Sequence, residues 1–132
     1  MRLTKQTKLS TPDGSIRGNC FRACLSSIMD LDIEDIPYFE DMGQEWHEPF
    51  FNFLREKNYE FEGTGQKKNI EKLKRYEGID GCVIVFGKSP REYVKSGHAV
   101  VYKNGEFFFD PHPSNEGLIE VEGYYMIIKR ID

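Results

Sequence analysis

The sequence predicts an α+β fold in which N-terminal helices pack on a mainly antiparallel sheet. Apolar residues follow helical spacing in the first half of the 132-residue chain, and short apolar runs typical of strands fill much of the second half. Because helices precede strands and do not alternate with them, a parallel βαβ arrangement is not expected. A chain of this length fits one domain, so we predict a single domain over residues 1–132.

The predicted helices lie between the N-terminus and residue 75. The first begins at Cys20, with Asn19 as its N-cap residue, and its apolar side chains recur at i, i+3, i+4 and i+7. The sequence IEDIPY predicts a short turn-like helix that ends at Pro37. Further helices are expected over 44–57 and 70–75.

Four strands are predicted after the helices. They correspond to the runs GCVIVFG, HAVVY, EFFFD and YYMII, which are residues 81–87, 98–102, 106–110 and 124–128. The first run is continuously apolar and flanked by glycine, as is typical of a buried strand. Ten Phe and seven Tyr predict a core built largely from aromatic rings.

Composition and charge argue against two classes of binding partner, nucleic acids and membranes. A formal net charge of −4 argues against nucleic-acid binding, which normally needs a basic face. The N-terminus lacks the apolar run of a secretory signal, and no run approaches the roughly 20 residues that cross a bilayer. We therefore expect a cytoplasmic protein with neither a nucleic-acid nor a membrane partner.

The three cysteines are expected to differ in reactivity. In a reducing compartment they are expected to be thiols and not disulfides, and no Cys-x-x-Cys marks a zinc site. Cys24 and Cys82 fall at buried positions and should act as small hydrophobic residues. Cys20 lies at the start of a predicted helix, where unpaired N–H groups and the helix dipole stabilise an anion. We therefore expect the Cys20 thiol to ionise easily.

A histidine and an aspartate occupy the two strands of a predicted hairpin. His98 opens the first strand and Asp110 ends the second, so the imidazole could take a thiol proton while the carboxylate fixes its tautomer. A two-residue loop at Asn104-Gly105 would place the two side chains on opposite sides of the sheet. A three-residue loop starting at Lys103, or a bulge elsewhere, would bring them together.

These segments resemble papain-like cysteine peptidases. GNCFRACLSSIM resembles their nucleophile helix, especially in the leader-peptidase domains of bacteriocin exporters. GHAVVYKNGEFFFDPHPS resembles the strand that carries their His and the acidic partner on the next strand. Together with QT, IEDIPYF and GKSPR, the pattern is also similar to a group of small bacterial and phage proteins. The similarity covers residues 6–118 and is loose over 41–80.

The resemblance implies a papain-like cysteine hydrolase that acts on a peptide or protein substrate through a thioester acyl-enzyme. Cys20 would be the nucleophile, His98 the base and Asp110 the orienting residue, with no cofactor or metal. Family members also use the amide of an upstream Gln in the oxyanion hole. Gln6 would fill that role, although it lies further from the Cys than is usual in the family. Asn115 is the alternative to Asp110, because some papain relatives use Asn there.

The sequence leaves other interpretations open. The reaction could be peptide, isopeptide or amide cleavage, or a transfer or deamidation through the same acyl-enzyme. The fold could also serve as a non-catalytic binding module, for example a phage protein that docks onto a host factor. In a third interpretation, Cys20, His98 and Asp110 are unrelated residues of an α+β domain.

Two further features flank the predicted His strand. His98, His112 and Asp110 are of the types that form metal sites, but no helix-borne ligand motif accompanies them. Ser89 and Arg91 precede the strand and could border a substrate cleft or belong to an ordinary solvated loop.

Overall fold

Both α-helices precede the strands in the computed structural model of the chain, which describes residues 2–64, 78–95 and 97–131. The fold is α+β and its sheet is antiparallel, which confirms the predicted class at this level. The helix predicted over 70–75 lies outside the described residues. Within the described ranges, no helix has both the length and the apolar character needed to cross a membrane.

The chain forms two α-helices before its first strand. Helix α1 spans Cys20–Met29 and helix α2 spans His47–Glu56. Helix α2 begins later than predicted, because Gln44 and Glu45 belong to a preceding 3-10 helix. The 3-10 helices of the described chain span Ile33–Asp35, Phe39–Glu45 and Ile79–Gly81. The first of these corresponds to the predicted turn-like helix.

The described strands form one five-stranded sheet in the order β1-β5-β2-β3-β4, and every neighbouring pair is antiparallel. All four predicted strands are present, and β5 is longer than expected. Strand β1 is absent from the sequence-based prediction, because Glu60 and Glu62 flank Phe61 and leave only a weak apolar signal. The strands are β1 Tyr59–Thr64, β2 Cys82–Lys88, β3 His98–Lys103, β4 Glu106–Phe109 and β5 Glu120–Arg130.

Hydrophobic clusters form against both sides of the sheet, and the larger one is rich in aromatic rings. Phe50 is fully buried, and its ring centroid lies 5.5 Å from that of Phe21, 5.3 Å from Phe39 and 5.2 Å from Phe61. This cluster joins both helices to β2, β3 and β5. The smaller cluster contains Val83, Val85, Val100, Tyr125 and Ile127. The aromatic-rich core matches the expectation from composition.

Candidate active site

Helix α1 begins at Cys20, and the residue before it is an anchor for the N-terminal segment. Asn19 stands at the predicted N-cap position, and its carbonyl accepts the Ala23 N–H, but its side chain makes no capping hydrogen bond. Its Oδ1 atom accepts hydrogen bonds from the backbone N–H groups of Thr7 (3.2 Å) and Lys8 (3.1 Å). Asn19 is fully buried and thereby ties the N-terminal segment to the start of the helix.

A carboxylate from a later segment caps helix α1. Glu40 Oε2 accepts hydrogen bonds from the backbone N–H groups of Phe21 (2.9 Å) and Arg22 (3.2 Å). Burial raises the pKa of Glu40 above its ordinary value, although these hydrogen bonds act in the opposite direction. Sequence reasoning missed Glu40, because the contact depends on how the 3-10 helix Phe39–Glu45 packs and has no local pattern.

The Cys20 thiol is harder to ionise than its position on the helix suggests. Burial, followed by the negative charge of Glu40, raises its pKa to about 12, against hydrogen bonding from the backbone N–H groups of Ala99 and Phe21. The expectation of easy ionisation is therefore wrong, since desolvation and a nearby carboxylate outweigh the helix terminus. The other two thiols, on Cys24 and Cys82, are buried as expected, and burial raises their pKa as well.

The hairpin adopts the two-residue turn together with a bulge. Asn104 and Gly105 have φ values of 52° and 84°, and the first pair beyond them is Lys103 with Glu106. The register then shifts, so that Val101 pairs with Phe109. The three-residue loop is not adopted, and the bulge alternative is the one found. The extra residue in β4 restores the alternation that places Asp110 on the side of His98.

His98 and Asp110 form a buried hydrogen-bonded pair. The distance from His98 Nε2 to Asp110 Oδ1 is 2.7 Å. Asp110 Oδ1 also accepts the His112 N–H (2.9 Å), and Oδ2 accepts the Gly117 N–H (2.8 Å). Burial acts to raise the pKa of Asp110, but these hydrogen bonds lower it below its ordinary value, which favours the carboxylate.

Asn115 supports the backbone of Asp110. Its Oδ1 atom accepts the Asp110 N–H at 3.2 Å, so the carboxylate and not this amide contacts the His98 ring. On the other side, Lys5 Nζ donates to the backbone carbonyl groups of Asp110 (2.8 Å) and His112 (3.1 Å). The turn that carries the carboxylate is therefore held from two directions.

Cys20 and His98 line the same cavity, which has a volume of about 700 Å³. Because Nε2 of His98 is bonded to Asp110, Nδ1 is the ring nitrogen left for a reaction partner. Ala99, the next residue in β3, also lines the cavity. The start of α1 and the start of β3 therefore meet at this cavity.

Gln6 also lines the cavity, despite its long separation from Cys20 in sequence. Residues 9–17 loop out, and the Asn19 N–H donates to the Lys8 carbonyl to close the loop. The Gln6 Nε2 atom lies 3.0 Å from where a Cβ on Gly18 would stand, so the glycine allows this approach. Nε2 donates to the Lys8 carbonyl at 3.0 Å.

The remainder of the cavity is largely aromatic, with charged groups at its border. Arg91 lines it, whereas Ser89 is buried and its Oγ accepts the Arg91 N–H at 3.1 Å. The aromatic side chains in the lining include Phe21, Phe39, Trp46, Phe61 and Phe86. The cavity can therefore accept an extended ligand with bulky apolar groups beside Cys20.

No family model, curated protein or solved structure matches this chain. The papain-like assignment therefore depends on the sequence resemblance and on the geometry of the site.

The metal alternative gains no support from the described residues. Among them, no group of three or more His, Cys, Asp or Glu side chains is arranged to hold a metal ion. The rings of His98 and His112 lie 6.3 Å apart between centroids, and His112 Nδ1 is 2.9 Å from Ser114 Oγ.

Proposed function

We propose that the protein is a papain-like cysteine hydrolase that cleaves an amide bond of a peptide or protein substrate. The observation that carries this proposal is the buried 2.7 Å hydrogen bond between His98 Nε2 and Asp110 Oδ1, beside a cavity that Cys20 also lines. A charged or polar pair of this kind is costly to bury. Its position at the cavity that Cys20 also lines gives it a chemical use.

The proposed reaction starts from a neutral thiol and a neutral imidazole. His98 Nδ1 accepts the Cys20 proton while the sulfur bonds to the substrate carbonyl carbon. The C–N bond then breaks, and the proton passes from His98 to the departing amine. Water, deprotonated by His98, hydrolyses the thioester and restores the thiol. Asp110 remains a carboxylate and stabilises the imidazolium.

Two donors are placed to stabilise the oxyanion. The Cys20 backbone N–H is at the first position of α1 and has no acceptor within the helix. The Gln6 amide lines the same cavity, and its Nε2 carries a second N–H besides the one donated to the Lys8 carbonyl. These groups would be the oxyanion hole implied by the resemblance.

Acyl capture tests the proposal without knowledge of the natural substrate. An activated ester should acylate Cys20, with a thioester adduct identified by mass spectrometry, and the adduct should be lost in Cys20→Ser and His98→Ala. Cys82→Ser is the matched control, because it removes a buried thiol that does not line the cavity. Equal, slow acylation of all three cysteines, or an acylation rate of Cys20 that is unchanged in His98→Ala, would contradict the proposal.

The high pKa of Cys20 favours one alternative, a non-catalytic papain-fold binding module. In that case the apolar cavity would hold a segment of a partner protein, and a phage protein docking onto a host factor would be one example. Complete absence of a Cys20 adduct from a folded protein would support this alternative over the hydrolase.

A further inference from the structure

Glu40 places a carboxylate against the first turn of helix α1. Its Oε2 atom accepts the N–H groups of Phe21 and Arg22, the two residues that follow Cys20. Its Oε1 atom is buried and has no hydrogen-bond partner among the described residues. Glu40 also lines the cavity that Cys20 and His98 share.

We propose that Glu40 is a positioning residue that keeps the resting Cys20 as a neutral thiol, so that acyl transfer begins from a thiol–imidazole pair and not from a thiolate–imidazolium pair. The inference rests on the proposed role of Cys20 as the nucleophile. Its test measures protonation of the sulfur and not turnover.

Burial of the thiol and the position of Glu40 together supply the reason. The first N–H groups of a helix carry partial positive charge and would stabilise a nearby thiolate. Here two of those groups are bonded to Glu40, whose negative charge offsets the helix terminus. A second carboxylate, Asp110, adds to the negative field at the sulfur, while His98 is the titratable base beside the cavity. Cys24, one turn along α1, is buried and contributes no positive charge near the Cys20 sulfur.

The positive charge of Arg22 acts to lower the pKa of Glu40, but the contacts given for Arg22 and Arg17 are with groups other than its carboxylate. Arg22 Nε donates to the Ile36 carbonyl, and Arg22 Nη2 lies 3.9 Å from Glu34 Oε2. Arg17 Nη1 donates to the backbone carbonyl of Glu40 and not to its carboxylate.

The titratable groups next to Glu40 on its own segment are a phenol and a carboxylate. Tyr38 and Asp41 are neighbours of Glu40 on its own segment. Burial is the largest cause that raises the pKa of the Tyr38 phenol, and the negative charges of Glu40 and Asp41 raise it further. Two arginines, Arg17 and Arg91, line the cavity, and its other ionisable lining residues are His47, His112, Glu122 and Tyr125.

A neutral resting thiol has a chemical consequence. The S–H bond breaks only as the S–C bond to the substrate forms, with the proton passing to His98 Nδ1 and the carbonyl electron pair moving to oxygen. Reagents that need a preformed thiolate should therefore react slowly with Cys20. An acyl donor that allows His98 to act as base should react faster.

The pH dependence of Cys20 alkylation by iodoacetamide, read at each cysteine by mass spectrometry, tests this inference. Glu40→Gln removes the charge and keeps an oxygen for the two N–H groups. At neutral pH its Cys20 should be alkylated about tenfold faster or more, which corresponds to a fall of about one pKa unit. Asp41→Asn, on the same segment, is the matched control and should leave the rate unchanged. A Glu40→Gln rate equal to wild type would overturn the inference.

A second measurement needs no Glu40 variant. The ultraviolet thiolate absorbance of wild type minus that of Cys20→Ser should stay near zero through neutral pH and rise only in alkali. A thiolate signal from Cys20 at neutral pH would overturn the inference. Failure of acyl capture together with faster alkylation in Glu40→Gln would refute the hydrolase and leave the role of Glu40 intact.

Discussion

Asp110 accepts three hydrogen bonds, one from the His98 ring and two from the backbone N–H groups of His112 and Gly117. Each of these three partners donates to one of the two carboxylate oxygens. An amide in this position would direct its NH₂ group at one of those donors and leave both unsatisfied. The site is therefore built for a carboxylate, which also holds His98 with Nδ1 available.

Asp110→Asn should slow acylation of Cys20 by about 10²–10⁴-fold, the range expected when acid–base catalysis by His98 is impaired. The wrong tautomer of His98 becomes accessible, and the imidazolium loses its counter-charge. The rate of adduct formation with an activated ester measures the effect. Asp41→Asn provides the comparison on a carboxylate outside the pair, and a rate for Asp110→Asn close to wild type would contradict the assigned role.

Individual residues differ in how far sequence could reveal them. Cys20, His98 and Asp110 could be singled out because their residue types and flanking patterns indicate one chemistry. Glu40 could not, because its hydrogen bonds join segments about twenty residues apart and depend on packing. Long-range packing also decides the partners of the Asn19 side chain, which stands at the expected N-cap position but binds the N-terminal segment.

At the scale of elements, the β3–β4 hairpin sets the geometry of the pair. The Asn104-Gly105 turn was readable from sequence, since this dipeptide favours the positive φ values observed. The sequence allowed a bulge only as one of several options, because a run of three phenylalanines contains no signal for the extra residue. Strand β1 could not be predicted for a related reason, because this segment is recognised as a strand by its pairing with β5 and not by its composition.

Gly105→Ala should lower the free energy of unfolding by roughly 1–2 kcal/mol, because its φ of 84° is strained for a residue with a Cβ. Denaturant titration measures the loss. Gly63→Ala in β1 is the matched control: its φ is not positive, and the added Cβ would meet only ordinary contacts, the nearest at 3.4 Å. Equal stability of Gly105→Ala and wild type would show that the turn contributes little to the fold.

At the scale of the whole molecule, the N-terminal segment joins the helical layer to the strand layer at the site. The Thr4 N–H donates to Ser27 Oγ on α1 at 2.8 Å, and the Gln6 N–H donates to the Pro111 carbonyl at 2.9 Å. The α+β class followed from the order of patterns along the chain. This bridging role could not be predicted, because the segment is polar and forms neither helix nor strand.

Acid titration of stability should separate the two buried carboxyl groups. The pKa of Asp110 is lowered in the folded chain, so its ionised form stabilises the fold above the unfolded pKa of about 4, and this contribution is lost as pH falls through the folded value. The pKa of Glu40 is raised, so its ionisation costs stability as pH rises.

In denaturant titrations, Asp110→Asn should be less stable than wild type at neutral pH and converge with it in acid. Glu40→Gln should be more stable at neutral pH and also converge in acid. Curves for the variants that run parallel to wild type at all pH values would show that neither group couples its protonation to folding.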